Sequence, residues 1–180
     1  MTISTQQPER FLVPCIYGVE DRKYFRLDLD GEVSLEEVKK IAFEIGKKYG
    51  LGNCLIVHSS DAKQMTLELK PLQNYNLIYG KKVPFDYQQW VLKQLRDSGI
   101  LRDIRYVEFR EKEGSSTLRV SPKSQHKGCG KVVAYVRITG ENEGIKEYLK
   151  LAWVGRKVEK FLAEEFAHES WEEIALLKLC

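Results

Sequence analysis

An α+β fold is predicted for this chain: an antiparallel sheet with helices packed on one face, followed by C-terminal helices. Three observations predict it. Phe25, Leu27 and Leu29 alternate with Tyr24, Arg26 and Asp28, the period of a half-buried strand. Ser34, Leu35, Glu36 and Glu37 form a capping box ahead of apolar residues at helical spacing. A long helical pattern then starts at residue 143 and runs to 167.

Composition places the chain among globular proteins. Hydrophobic residues make up 43% of it, with three Trp, nine Tyr and seven Phe, which is enough apolar surface to offset the entropy of ordering. No apolar run reaches the roughly 18 residues of a bilayer span, so no membrane insertion is expected. Residues 1–9 read as a flexible arm without the basic and apolar blocks of a secretory signal, and a cytoplasmic location is expected. The four cysteines, Cys15, Cys54, Cys129 and Cys180, are too scattered for a disulfide scaffold. Cys15 and Cys54 sit in apolar segments and read as small core residues.

In chain order, residues 11–18 and 23–29 read as strands around a turn at 19–22. Val38, Ile41, Ala42 and Ile45 then mark the buried face of a helix that Gly50 is placed to end. Residues 53–58 and 65–70 read as the next two strands, with His58, Ser59, Ser60 and Asp61 in the connection. After Pro71 the stretch holding Tyr75, Tyr79, Lys81, Lys82 and Pro84 reads as an ordered aromatic loop. Asp86 is expected to cap a short helix through Trp90, Val91 and Leu95 that Gly99 closes, and 104–110 is expected to be a strand.

The resulting order, β-α-β-β-α-β, permits a ferredoxin-like arrangement. Residues 117–120 and 131–139 are expected to add strands on either side of a loop at 121–130. A second capping box at Ser170, Trp171, Glu172 and Glu173 starts a last helix. The expected organisation is an arm at 1–9, a sheet domain at 10–142, and a helical extension at 143–180 docked on it.

The net charge of +3 decides little about partners, because 29 basic residues face 26 acidic ones. Clustering says more. Lys146, Lys150, Lys157 and Lys160 fall within about 80° of one another on the helical wheel, with Trp153 beside them. Arg119, Lys123, Lys127 and Lys131 lie in and around the nearby loop. Together these nine residues are the candidate nucleic-acid surface, since lysines neutralise phosphates and an indole stacks on a base. The bland reading is a solvated, ion-paired helix face, for which Glu147, Glu159, Glu164 and Glu165 speak. Nothing in the charge pattern separates RNA from DNA.

Cys129 is the candidate nucleophile, flanked by Gly128 and Gly130 for access and by Lys127 and Lys131 for thiolate stabilisation, with His126 near in sequence. An ordinary loop thiol explains the same residues. His58 is a candidate base for RNA cleavage, and a turn bonding its own backbone is the competing use. His126 and Cys129 make at most half a zinc site, and no phosphate-binding or dinucleotide motif is present, so neither metal nor cofactor is expected. Trp90, Trp153, Phe161, Phe166 and Trp171 supply a surface for a protein partner or a homodimer if some stay uncovered. The working expectation is a non-catalytic binding or assembly-accessory protein acting through a protein partner; nucleic-acid binding or RNA processing is the alternative.

Overall fold

The computed structural model describes residues 23–31, 33–58, 73–101, 104–113 and 131–151. These form β1 (Tyr24–Gly31), α1 (Leu35–Tyr49), β2 (Cys54–His58), β3 (Gln73–Lys82), α2 (Phe85–Asp97), α3 (Ile104–Glu113), β4 (Lys131–Val136) and α4 (Glu143–Leu151). The expected strands at 11–18, 65–70 and 117–120, the arm at 1–9 and the capping box at Ser170 lie outside the described residues.

The four strands make one antiparallel sheet in the order β1-β3-β2-β4. Both β1 and β2 run antiparallel to β3, so they are parallel to each other, with α1 crossing between them and β3 inserted in the gap. The last strand joins beside β2 rather than β1. The α+β class therefore stands, and this order does not establish a ferredoxin-like arrangement.

α1 begins as its sequence dictates. The Ser34 Oγ accepts from the Glu37 amide at 3.3 Å, and the Glu37 carboxylate accepts from the Ser34 amide at 2.9 Å. Gly50 ends it in the left-handed region at φ 60°, where a side chain would be strained. Val38, Ala42, Ile45 and Tyr49 are buried against Leu27, Ile56 and Leu77 in the main core.

Two elements differ from expectation. Residues 73–82 are not a loop but a strand, and a central one: Leu77 is the partner of both Leu27 and Ile56. Asn74, Asn76 and Gly80 lower its β-propensity, but Tyr75, Leu77 and Tyr79 keep period two and enter the core. Residues 104–113 are helix rather than strand. Val107 and Arg110 are buried while Glu108, Glu111 and Lys112 are exposed, which is a helical spacing, and a Lys93 to Glu111 ion pair of 2.8 Å ties α3 to α2.

α2 also starts differently. Pro84 occupies the N-cap position, its carbonyl accepting from the Gln88 amide at 3.1 Å, and Asp86 sits in the first turn, where it complements the helix dipole without capping it. Gly99, at φ 77°, follows the helix end as expected. β4 stops at Val136, short of the expected 139, and the helix expected over 143–167 is described as far as Leu151.

The sheet is covered on both faces, not one. Alternate residues Arg26, Leu55, Val57 and Ile78 are buried yet stand outside the main core cluster. α4 packs on β3, burying Ile145, Tyr148 and Leu149, and the Tyr24 hydroxyl donates to Glu147 at 3.2 Å. The face marked by Tyr24, Arg26 and Asp28, the polar side of the half-buried strand read from the sequence, is thus closed at Tyr24 and Arg26. Gly144 allows this approach: a Cβ there would strike the Tyr79 carbonyl oxygen and the Tyr24 ring.

Candidate functional site

Two surfaces stand out, one aromatic and one polar. The aromatic one is built where the end of α1 meets α2. Tyr87 and Trp90, one turn apart on α2, stack with centroids 5.5 Å apart and planes 29° apart. Tyr49 meets the indole edge-on at 5.8 Å. The Tyr87 hydroxyl donates to the Tyr49 carbonyl at 2.8 Å, satisfying a helix-end acceptor and locking the two helices together. Burial pushes the Tyr87 phenol above its ordinary pKa. Lys48 Nζ sits 5.2 Å over the Tyr49 ring.

Trp90 itself remains 48% exposed, the most exposed of the large hydrophobic residues described. A rigid indole held between two rings yet open to water has the form of an interface anchor, because its ordering cost is already met. Phe43, 41% exposed on α1 with Lys47 Nζ 5.8 Å from its ring centre, is a second apolar outlier.

The polar surface is organised by Asn53, a buried residue just before β2. Its Oδ1 accepts from the amides of Ile138, Thr139 and Gly140, at 2.6, 3.0 and 3.0 Å. Three successive amides of this kind form a nest of the sort that binds anions, and here the nest is filled from inside by the carboxamide oxygen. The Asn53 Nδ2 donates to the Tyr135 hydroxyl at 2.7 Å and to Asn142 Oδ1 at 3.0 Å, while the Tyr135 hydroxyl also donates to Asn142 Oδ1 at 2.7 Å.

The backbone of Asn53 bonds in two directions. Its carbonyl accepts from the Gly80 amide at 2.8 Å, and its amide donates to the Glu141 carbonyl at 3.1 Å. Gly80 and Glu141 are on opposite walls of a cleft of about 360 Å³, so one residue sets the spacing of both. Gly80, Lys81 and Lys82 form one wall; Gly140, Glu141, Asn142, Glu143 and Lys146 form the other. The walls meet closely at Gly80, where a Cβ would collide with the Glu141 carbonyl. Lys81 Nζ lies 3.6 Å from the Glu141 carboxylate, a long pair between half-exposed groups.

Of the residues singled out in the sequence, Lys146 lines this cleft and Lys150 lies in α4. Lys131 opens β4 opposite His58, at the far end of the sheet from the cleft, roughly 16 Å away along the strand. The structure therefore does not bring Lys131 and Lys146 together. Arg119, Lys123, Lys127, Trp153, Lys157 and Lys160 lie outside the described residues, as do His126 and Cys129. The His58 ring packs edge-on against Tyr75 at 5.3 Å.

Cys54 is fully buried in the main core, and burial pushes its thiol far above the ordinary range, which makes it inert. Tyr79 beside it is likewise pushed well up by burial, and its hydroxyl donates to the Ala42 carbonyl at 3.0 Å. Among the described residues no three His, Cys, Asp or Glu side chains gather as a metal site would require, and no helix is long and apolar enough to cross a membrane. Sequence reasoning misses Asn53, Tyr49 and Tyr87. A lone Asn before an apolar run carries no signature, whereas the i,i+3 pair of Tyr87 and Trp90 is a usable signal. Neither a protein-family model, nor a curated protein, nor a solved structure matches this chain.

Proposed function

We propose that the chain is a non-catalytic, cytoplasmic binding or assembly-accessory protein that docks a protein partner on Trp90, Tyr87 and Tyr49. The observation that supports this reading is the half-exposed indole of Trp90, clamped by two tyrosine rings. Covering the remaining exposed part of a Trp stack removes on the order of 100 Å² of apolar surface from water, a gain of about 2–3 kcal/mol. That is the size of an interface hot spot. The experiment is affinity isolation of the wild type and Trp90→Ala, each with nuclease treatment. A stoichiometric protein partner that survives nuclease and is lost with Trp90→Ala is expected. Equal recovery by both chains would reject the platform.

The alternative, a nucleic-acid-binding or RNA-processing protein, draws on one observation: Lys146 shares a cleft with Lys81 and Lys82. Under that reading polynucleotide co-purifies, and affinity falls steeply with salt. Replacing Lys81, Lys82 and Lys146 by Gln then flattens the salt dependence by roughly one unit of slope for each phosphate no longer neutralised.

A further inference from the structure

We infer that the cleft between the end of β3 and the start of α4 is a binding site for a phosphate monoester, built from Lys82, Lys146 and Lys81. The inference concerns a different surface from the aromatic platform and does not rest on the protein-partner reading. Three features carry it: preorganisation, charge type and size.

Backbone hydrogen bonds tie the two walls together. Asn53 bonds Gly80 on one side and Glu141 on the other, and the Lys81 amide donates to the Leu51 carbonyl at 2.9 Å. The Lys146 amide donates to the Asn142 carbonyl at 3.0 Å, fixing the first turn of α4 to the same loop. Binding there orders little new backbone.

Among the described residues, three ammonium groups face two carboxylates around the cleft, and no guanidinium lines it. Lysine ammoniums bind phosphate oxygens as compact point charges, and three of them on one cleft offer a dianion more than one partner. The 3.6 Å pair of Lys81 with Glu141 is long and half-exposed, so a dianion competes for Lys81 at little cost. The amide nest of residues 138–140 is occupied by Asn53, which leaves the lysines as the source of affinity.

At about 360 Å³ the cleft falls at the small end of ligand pockets, roughly 300–1,000 Å³, and suits one phosphate group with a short substituent. The group can belong to a small molecule or to the end of a nucleic-acid strand. Both present the same dianion.

The test is an amide-resonance titration of the full chain at constant ionic strength, with inorganic phosphate, with phenyl phosphate, and with an oligonucleotide carrying or lacking a terminal phosphate. Saturable shifts centred on Gly80, Lys82, Gly140 and Lys146 are expected, weakened about tenfold in Lys82→Gln/Lys146→Gln, whose remaining resonances report that it folds. Binding by phenyl phosphate assigns a small-molecule source, and a preference for the phosphorylated oligonucleotide over its twin assigns a strand end. No saturable shift with any phosphate, equal shifts with chloride, or shifts unchanged in the double variant would overturn the site.

Discussion

At the residue scale, Asn53 has more consequences than any other single side chain described. Its carboxamide satisfies three loop amides, a phenol and a second carboxamide, and its backbone joins β3 to the loop before α4. Removing that side chain orphans several part-buried donors at once. Asn53→Ala is therefore expected to lose about 2–3 kcal/mol in urea unfolding, against about 0.5 kcal/mol for an ordinary surface change. Tyr24 gives a pH prediction. Its phenol is pushed up to about 12 from 10.0, first by burial and then by the Glu147 carboxylate to which it donates. The unfolded phenol ionises near 10. The Tyr24 contribution is thus full below pH 10, declines as the pH rises through about 12, and declines no further. In Tyr24→Phe, stability should fall less steeply across that window than in the wild type, as followed by unfolding at several pH values.

At the element scale, α1 shows what sequence can declare. Both of its ends are specified locally, by the Ser34 and Glu37 exchange and by Gly50, and the structure contains both. Ser34→Ala should cost about 1 kcal/mol, measurable as a shift of the urea midpoint with unchanged slope; no shift would deny the cap its role. β3 shows the opposite case. Its strand character comes from position, with partners on both sides, and this outweighs the weak propensity of Asn74, Asn76 and Gly80. α3 departs from the expected strand for a related reason: Ile104, Tyr106, Val107 and Phe109 look like a strand in isolation, and only the burial of Val107 with Arg110 reveals the helical period. The candidate surfaces are legible in the sequence to the extent that they rest on one element. Lys146 is identifiable on its helix and Trp90 on its own, but the meeting of Lys146 with Lys81 and Lys82, and of Trp90 with Tyr49, depends on packing between elements far apart in sequence.

At the scale of the whole molecule, a sheet covered on both faces leaves function to its rims. α1 and α2 seal one face through the main core, α4 seals part of the other, and the cleft and exposed rings fall where helices meet strand ends or one another. The aromatic platform and the lysine cleft are separate in composition and in the elements that build them, so each can be removed without the other. The most direct measurement is the calorimetric affinity of the isolated partner for the wild type and for Trp90→Ala, with urea unfolding of both. A weakening of about thirtyfold, corresponding to about 2 kcal/mol, is expected, with Trp90→Ala less stable than the wild type through its lost ring contacts but still unfolding cooperatively and folded under the binding conditions. Equal affinity for the two chains would contradict it.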